Sequence, residues 1–454
     1  MNKIEKHIAP QFDVTIESYN DQFKGIGYKG NYKITIDKTL PGEVVAVRYD
    51  PQRPPKDRIV LEKLLKKSKL RVQPPCSFFE TCGGCQLQHV EYQTQLAMKH
   101  HLMKEKQQDY PLMHHIKIHT PQGMENHFHY RNKAQIPFQR QEEHVIYGLY
   151  RKGTHQIISI DQCLVENRDA NLILNVVKNW AETFRVPVYQ EKSRQGSLRY
   201  VVIRKGQFTN QIMVILVSAT PSLPHLRELL QELKQKIFSL KSVIINHNPS
   251  RSNVILGVKN QVVWGDSFIE ERLRTLQFKI YPNTFFQINS IQMIHIIDKI
   301  RSHAGFDSQQ QVLELYCGTG SIGLLIADQV KSVIGIDNNV SSIEAAQENM
   351  KLNEINNISF RTMNLESEKR INLPADFSPD VVIVDPPRKG LSDNLIREIV
   401  RLKPAKVIYL SCNPATLFPN LSVLMKSGYH GEEIFLYDMF PHTSHIESLV
   451  FLNK

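Results

Sequence analysis

The stretch Val312-Leu313-Glu314-Leu315-Tyr316-Cys317-Gly318-Thr319-Gly320-Ser321-Ile322-Gly323 decides the fold of the C-terminal part of this chain. Its first five residues are mostly large and apolar, which predicts a buried strand. The glycines that follow allow a tight turn and bring a ligand close to the backbone where a helix begins. This order predicts an α/β domain. The glycine turn alone does not identify the ligand, because several nucleotide cofactors use one.

The next strands indicate which cofactor binds. Ser332–Ile336 is predicted to be a strand that ends in Asp337, where an acid accepts hydrogen bonds from the two hydroxyls of an adenosine ribose. The helix after it is predicted to begin at a capping box of Ser341 and Glu344. The fourth strand, Val381–Val384, ends in Asp385-Pro386-Pro387-Arg388. Methyltransferases of this fold commonly carry such a D-P-P motif, which favours S-adenosylmethionine. Arg388 stands where an aromatic residue would favour methylation of an exocyclic amine, and it argues against that reaction.

A cysteine follows the next apolar strand, in Ser411-Cys412-Asn413-Pro414. The strand covers 407–410, and the turn places Cys412 at its carboxyl end, where α/β sheets carry their active sites. Such a cysteine is a nucleophile, a ligand or a small buried apolar residue, and by itself this position favours the buried residue, because free cysteines are among the most buried residue types. Cys317, inside the glycine turn, is interpreted as a packing residue.

A reactive cysteine beside a methyl donor suggests methylation of a uracil ring at C5. This carbon is too weak a nucleophile until a thiolate adds at C6, and a base must then remove the C5 proton. We expect Cys412 to be the thiolate and Glu447 the base, on opposite sides of a flipped uracil. The alternative for Glu447 is a surface glutamate at the start of a strand. His442 and His445 are candidates for orienting the site.

The charge of the chain is uneven. The whole chain has a net charge of +11, yet residues 275–454 contain 16 Lys and Arg against 19 Asp and Glu. Residues 1–274 therefore contain 40 against 26. This excess of positive charge in the first part favours a polyanionic partner, and nucleic acid before others.

Short alternating runs punctuated by glycines predict a small β-barrel at residues 1–62. Five-stranded barrels of this size often bind oligonucleotides, and lysines beside two tyrosines fit stacking and phosphate contacts. The alternative is a barrel used only for packing. The residues in question are Lys24, Tyr28, Lys29, Tyr32, Lys33 and Lys38. The start of the chain lacks the apolar run of a signal peptide and no stretch has the length of a membrane span, so we expect a cytoplasmic protein.

Three cysteines in a C-x5-C-x2-C pattern, Cys76, Cys82 and Cys85, indicate a metal site. The next cysteine along the chain, Cys163, is the one remaining cysteine outside the C-terminal part. Four thiolates suit a [4Fe–4S] cluster or structural zinc, and these alternatives stay open. The spacing differs from that of radical enzymes, so we expect a structural role.

With these motifs the chain resembles the RNA (uracil-5-)-methyltransferase family, and within it the 23S rRNA branch. The resemblance covers nearly the whole chain. It rests on the Phe285–Asn289 motif (F-F-Q-I-N), the glycine turn, the D-P-P-R and S-C-N-P motifs, and Pro441–Glu447 (P-H-T-S-H-I-E). One departure is Asp337, where glutamate is expected more often.

The resemblance implies a role for each motif residue. It implies that Cys412 is the nucleophile and Glu447 the base. It implies S-adenosylmethionine binding by Gln287, Tyr316, Asp337 and Asp385. It also implies a [4Fe–4S] cluster, with zinc as the alternative, held by Cys76, Cys82, Cys85 and Cys163.

We therefore expect a multidomain protein. Its parts are an OB-like TRAM barrel at 1–62, a central α+β domain with the metal site at 75–275, and a Rossmann-like class I methyltransferase domain at 280–454. We expect a monomer that methylates C5 of one or two uridines in 23S rRNA, with no membrane partner. The alternatives are the same chemistry on a tRNA uridine, or a catalytically silent RNA-binding or assembly factor.

Overall fold

The computed structural model of the protein describes residues 11–51, 58–151, 154, 156–191, 193–368 and 370–454. The prediction that the chain starts without a signal peptide rests mainly on residues 1–10, which lie outside these ranges. The chain divides into two compact units. The first unit comprises Met1–Leu102, Leu149–Ile158 and Phe440–Ser444, and the second comprises Met103–Gly148, Ser159–Met439 and His445–Lys454.

The first unit contains a five-stranded antiparallel sheet. Its strands are β1 Gln11–Tyr19, β2 Gly25–Lys29, β3 Tyr32–Ile36, β4 Val44–Tyr49 and β5 Ile59–Lys66. They pair in the order β3-β2-β1-β4-β5. Burial alternates along β1 with the period of two that a half-buried strand requires, and Phe12, Val14 and Ile16 join the core. Tyr28 and Tyr32 are exposed. The predicted N-terminal sheet is therefore present, and it is followed by helix α1, Tyr92–Gln108.

The middle of the chain forms a seven-stranded sheet in the order β13-β12-β11-β10-β7-β8-β9. Only β11 and β12 in it run parallel. Its helices are α2 Arg168–Thr183 and α3 Leu226–Lys236. The seven strands of this sheet are β7 Lys133–Gln141, β8 His144–Tyr150, β9 Ile157–Ser159, β10 Leu198–Lys205, β11 Ile212–Ser218, β12 Leu240–His247 and β13 Lys259–Gly265. A short strand that precedes them in the chain, β6 Lys117–Ile118, belongs to another sheet.

After the hairpin of β14 Ile269–Leu273 and β15 Leu276–Ile280, strands and helices alternate. The strands are β16 Gln311–Leu315, β17 Ser332–Asp337, β18 Ile358–Thr362, β19 Val381–Val384, β20 Lys406–Ser411, β21 His430–Tyr437 and β22 Glu447–Asn453. The helices are α4 Ser290–His303, α5 Ser321–Ile326, α6 Val340–Leu352, α7 Asp393–Leu402 and α8 Pro414–Lys426.

These strands and β6 form one sheet in the order β18-β17-β16-β19-β20-β22-β21-β6. The five strands from β18 to β20 are parallel, and β22 lies antiparallel to β20. Leu313, Val382 and Val407 are fully buried at its centre. The chain moves outward from β16 through β17 to β18, then returns to place β19 on the other side of β16. Ligands bind at such a reversal, beyond the carboxyl ends of the strands.

The local predictions succeed where a run of apolar residues is unbroken. The strand Val381–Val384 is confirmed with its predicted ends. The predicted capping box at Ser341 is wrong. Helix α6 begins two residues earlier, where Asn339 accepts a hydrogen bond from the backbone N–H of Ser342 at 3.0 Å. Asparagine caps a helix as well as serine does, and it comes first in the chain.

No described helix is both long enough and apolar enough to cross a membrane.

The glycine turn yields a test of the fold. Gly320 has φ 78°, and a Cβ placed there would lie 2.5 Å from Phe360 Cζ. We expect Gly320→Ala to lower the free energy of unfolding by about 2–4 kcal/mol, from backbone strain and overpacking together.

The matched control is Gly428→Ala. Gly428 has φ 94° but nothing within 4 Å of its would-be Cβ, so it isolates the backbone strain. Urea unfolding of both variants is the measurement. Equal losses of stability would show that close packing against Phe360 does not require a glycine.

Candidate active site

Four predicted site residues stand at one edge of the eight-stranded sheet. Tyr316, Asp385 and Cys412 each directly follow a parallel strand, namely β16, β19 and β20, and Asp337 is the last residue of β17. Parallel strands deliver their carboxyl ends to the same edge, so these side chains gather at the chain reversal between β16 and β19. All four are half-buried.

Cys412 and Glu447 face each other across two neighbouring strands. The register of β20 and β22 pairs Ser411 with Ser448, so the next opposing residues are Cys412 and Glu447. Opposing residues of an antiparallel pair project from the same face, with Cβ atoms about 5 Å apart. β22 returns antiparallel to β20 and so delivers Glu447 to the same edge as Cys412. The expected placement of thiol and base on opposite sides of a uracil stays a prediction.

Asn413 shapes the turn that presents Cys412. Its side-chain oxygen accepts from the backbone N–H of Ala415 at 3.2 Å, which caps helix α8. Its side-chain nitrogen donates to the carbonyl oxygen of Arg388 at 2.7 Å. Pro414 fills the first helical position, where no N–H is needed. One asparagine thus starts the helix after the cysteine and ties the turn to the D-P-P-R segment.

Acidic groups and burial favour the protonated forms of Cys412 and Glu447. Burial, followed by the charges of Glu447 and Asp385, raises the pKa of the Cys412 thiol to about 11, whereas Arg388 opposes them. Burial, followed by the charge of Asp385, holds the pKa of Glu447 well above its usual range. Glu447 is only 5% exposed. The resting site therefore holds a neutral thiol at physiological pH, beside a carboxyl group whose pKa is raised.

Arg388 is the positive charge of this edge. Its Nη2 lies 2.7 Å from Nδ1 of His445, which accepts this hydrogen bond when that nitrogen carries no proton. His445, which the sequence marks as a candidate for orienting the site, therefore contacts Arg388, and both residues belong to the second unit. A guanidinium cannot lose its charge in this pH range, so Arg388 favours the thiolate of Cys412 at every relevant pH.

Gln287 connects the F-F-Q-I-N segment to the same edge. Its side-chain nitrogen donates to Asp385 Oδ2 at 3.1 Å. Burial raises the pKa of Asp385, this hydrogen bond lowers it, and the charge of Asp337 raises it. Two residues before Gln287, the ring of Phe285 is 59% exposed. The segment therefore presents one amide to the buried acid and one aromatic ring to solvent.

The glycine turn is closed by Asp337. Its Oδ2 accepts from the backbone N–H of Gly318 at 2.9 Å, and its Oδ1 accepts from that of Asn339 at 2.8 Å. Gly318 has φ 53°, and its would-be Cβ meets only Phe285, at 3.7 Å. The carboxylate thus holds the turn open for a ligand to approach the backbone, and each oxygen keeps a further lone pair.

Sequence reasoning missed two glutamates of this region. Glu366 accepts from the hydroxyl of Tyr316 at 2.9 Å and pairs with Lys389 at 3.0 Å. It stands in a polar loop, where no pattern marks it. Glu314 lies in the middle of β16 and accepts from the backbone N–H of Gly323 at 3.0 Å. Burial raises its pKa to about 8. An acid inside an apolar strand is the signal that would have found it.

The remaining candidates lie partly in the first unit. His442 is buried there, with its Nδ1 3.2 Å from Gln95 Nε2. Cys76, Cys82 and Cys85 belong to the first unit and Cys163 to the second, and all four are half-buried cysteines. Within the described ranges, no three His, Cys, Asp or Glu side chains gather as a metal-binding group. The metal site therefore stays a prediction.

The electrostatics of Cys412 yield a prediction with two opposite signs. Asp385→Asn removes a negative charge and should speed alkylation of Cys412 by iodoacetamide at pH 8, roughly three- to tenfold. Arg388→Gln removes the positive charge and should slow it by a similar factor. The measurement is mass spectrometry of the Cys412 peptide over time, without cofactor.

Lys389→Gln serves as the control, because Lys389 is exposed and pairs with Glu366 rather than with the thiol. It should leave the rate unchanged. Two shifts of the same sign for Asp385→Asn and Arg388→Gln would contradict this account of the thiol.

Comparison with known proteins agrees with this geometry. The family model described as tRNA (uracil-5-)-methyltransferase matches residues 91–454. An uncharacterized RNA methyltransferase of Clostridium acetobutylicum is 34% identical over 445 residues, covering 98% of this chain and 97% of its own. Another, of Caldanaerobacter subterraneus subsp. tengcongensis, is 35% identical over 454 residues, covering 100% of both chains.

A solved structure extends the similarity to the fold. The tRNA (uracil-54, C5)-methyltransferase of Pyrococcus abyssi, in complex with S-adenosyl-L-homocysteine, is 29% identical with a TM-score of 0.77. The match covers 97% of this chain and 99% of that one. The predicted α/β methyltransferase fold is thereby confirmed. The chain belongs to the tRNA (uracil-5-)-methyltransferase family, whose members are S-adenosylmethionine-dependent RNA methyltransferases.

Proposed function

We propose that this chain methylates C5 of a uridine in 23S rRNA, with Cys412 as the nucleophile and Glu447 as the base. The observation that carries the proposal is the register of β20 and β22, which sets this thiol opposite this carboxyl group beside Asp385. Membership of the family supports the reaction type. A catalytically silent RNA-binding factor would have no need to bury three acidic groups side by side, because burying ionisable groups is costly.

The proposed reaction begins at C6 of the uracil ring. The sulfur of Cys412 forms a bond to C6, and the ring electrons move to C5 and the O4 oxygen as an enolate. C5 then forms a bond to the methyl carbon and becomes tetrahedral, while the bond from that carbon to the sulfonium sulfur breaks; neutral S-adenosylhomocysteine would be the leaving group. Removal of the C5 proton returns an electron pair to the ring, and the sulfur–C6 bond breaks. Cys412 is regenerated and the product is a 5-methyluracil.

The pairing of Cys412 with Glu447 fits the stereochemistry of this sequence. When the sulfur occupies one face of the ring, the methyl group approaches the less crowded opposite face. The proton left on C5 then lies on the face of Cys412. Glu447 stands beside Cys412, so its carboxylate is on the side where the proton must be removed. The shared edge of β20 and β22 suits the reaction better than the expected opposed placement.

S-adenosylmethionine, when bound, supplies the methyl group and brings a positive charge. We propose that Gln287, Tyr316, Asp337 and Asp385 bind it. The residues fit this role: the turn at Gly318 leaves the backbone open, and the free lone pairs of Asp337 suit the hydroxyls of a ribose. A cation bound among these acids lowers the pKa of both Cys412 and Glu447, so cofactor binding is linked to release of protons.

We further propose that Cys76, Cys82, Cys85 and Cys163 hold a [4Fe–4S] cluster, with zinc as the alternative. The donor set is four thiols, which suits either metal centre. Cys82 Sγ accepts a hydrogen bond from the backbone N–H of Gly84 at 3.4 Å, as cluster sulfurs commonly do. Burial raises the pKa of the Cys82 thiol, Gly84 opposes this, and the nearby Cys76 adds to it. This support comes from Cys82 and its surroundings, since no three such side chains gather in the described ranges, and Cys163 is included on its sequence position.

A tRNA uridine is the second candidate substrate. The solved tRNA methyltransferase of Pyrococcus abyssi matches almost the full length of this chain, so the N-terminal sheet does not separate rRNA from tRNA enzymes. The choice of 23S rRNA rests on the resemblance of the sequence motifs. Incubation of the protein with labelled S-adenosylmethionine and unmodified 23S rRNA or tRNA transcripts tests it. Label in tRNA alone would show that a tRNA uridine is the substrate instead of a uridine of 23S rRNA.

Two substitutions test the chemistry. Cys412→Ala should reduce methyl transfer by at least about 10⁴-fold while S-adenosylmethionine still binds, because the substitution removes the sulfur that must bond to C6. Glu447→Gln should slow the release of the proton and accumulate a covalent complex of protein and RNA. The complex is visible as a slowly migrating band on a denaturing gel.

Cys317→Ala is the control for the first substitution, because Cys317 is buried behind the glycine turn. It should retain methyl transfer. Substantial turnover by Cys412→Ala would exclude the proposed nucleophile, and absence of the band with Glu447→Gln would move the role of the base to another residue.

The metal proposal is tested by composition. Anaerobically purified protein should be brown, with iron and acid-labile sulfide in a ratio near one. Cys82→Ser should lose both, whereas Cys317→Ala should keep them. A colourless protein with stoichiometric zinc would select the alternative, and a protein with neither metal would refute the site.

A further inference from the structure

Two cations face each other at one end of the seven-stranded sheet. Lys133, the first residue of β7, is the cross-strand partner of Arg204 near the end of β10. Arg131 precedes Lys133 by two residues. Burial, then the charges of Arg204 and Arg131, lower the pKa of the Lys133 ammonium to about 7. Like charges placed opposite each other destabilise a sheet, so the fold retains this pair at a cost.

Among the described residues, none is bonded to the ammonium of Lys133. Arg131 pairs with the buried Glu166, Nε to Oε1 at 3.1 Å. Burial raises the pKa of Glu166 to about 7, and the charge of Arg131 opposes this. Arg204 donates to the carbonyl oxygen of Thr284. The ammonium of Lys133 has no hydrogen bond or ion pair with any residue of the described ranges. The cluster therefore lacks an anion at Lys133.

The cluster adjoins the active edge through Asn132. The side-chain nitrogen of Asn132 donates to the carbonyl oxygen of Gln287 at 2.8 Å, and its backbone N–H donates to that of Ile288 at 2.9 Å. Gln287 in turn bonds to Asp385. Arg204 donates to the same segment at Thr284, so Arg204 and Asn132 contact the chain on the two sides of the exposed Phe285. An anion at Lys133 would lie next to the segment that reaches the acids of the active edge.

We propose that Lys133 and Arg131 bind a backbone phosphate of the RNA beside the target uridine, with Arg204 fixed behind them. This inference rests on the proposed function and adds to it a site that binds the RNA backbone. A phosphodiester carries one negative charge and two acceptor oxygens, which suits one ammonium and one half-exposed guanidinium. Phosphate contacts fix the register of a nucleic acid, and a nucleotide that leaves its stack needs its backbone held.

The test compares RNA binding by full-length variants, with the unmodified transcript that the wild-type chain methylates as the probe. Lys133→Gln should weaken binding about tenfold at pH 6.5 and lower the slope of log K against log salt by about one. Lys259→Gln is the matched control, an exposed lysine of the same sheet. It should leave both quantities unchanged. Affinity for S-adenosylmethionine should be the same in all three proteins.

The dependence on pH gives a second, independent readout. Lys133 binds an anion only when protonated, so wild-type RNA affinity should fall several-fold from pH 6.5 to 8.5. Lys133→Arg keeps its charge and should bind RNA with much less dependence on pH. Glu166 titrates in the same range, and therefore the comparison is repeated in Glu166→Gln, where the contribution of Lys133 should persist.

These experiments distinguish failure of the phosphate site from failure of the proposed function. Wild-type RNA affinity and salt slope in Lys133→Gln would overturn the phosphate site, as would a pH dependence unchanged in Lys133→Arg. Weaker binding of S-adenosylmethionine with unchanged RNA affinity would assign the anion to the carboxylate of the cofactor instead. Failure of the wild-type protein to methylate any uridine would overturn the proposed function, whereas normal methylation with these results overturns only the phosphate site.

Discussion

The antiparallel pairing of β22 with β20 is the constraint on which the rest of the site depends. The parallel strands alone would bring Asp385 and Cys412 to one edge, with no carboxyl group facing the thiol. Because β22 runs back beside β20, Glu447 arrives directly opposite Cys412. The turn at Asn413 then caps helix α8 and binds the D-P-P-R segment, so Cys412, Glu447 and Arg388 are held by one connected set of backbone contacts.

This arrangement has an electrostatic consequence. Burial and mutual repulsion raise the pKa of Cys412, Glu447 and Asp385 in the resting protein. A buried acid with a raised pKa favours the folded state below its unfolded pKa, and that advantage is lost as the pH rises through its folded pKa. The site is thus least stable at the pH values at which these groups are ionised, and a bound cation relieves their repulsion. The same repulsion therefore favours binding of a positively charged ligand and lowers the local stability.

The sequence predicts the local parts of this site well. Four consecutive β-branched residues mark the strand Val381–Val384 with its correct ends, because nothing else in the segment competes for that pattern. The start of helix α6 is misplaced because Asn339 and Ser341 are equally good caps, and only the backbone decides between them. Whether a residue directly follows a strand can be recognised from its neighbours in the sequence. The sequence therefore identifies Cys412 and Asp385 as candidates for the site.

Pairings between distant segments are beyond such reasoning. Residues 412 and 447 become opposite through a register that no local pattern encodes, and so their proximity could not be predicted from the sequence. The same holds for Lys133 and Arg204, which are unremarkable in sequence and become neighbours only when β7 pairs with β10. Glu314 is the intermediate case, since a charge within an apolar strand is visible in the sequence, although its role under the glycine turn is not.

The most direct measurement is a map of 5-methyluridine in 23S rRNA and tRNA from cells that lack this protein. The account predicts that one or two sites in 23S rRNA lose the methyl group. It also predicts that the wild-type chain restores it and Cys412→Ala does not. Unchanged 5-methyluridine in both RNAs, or restoration by Cys412→Ala, would contradict it.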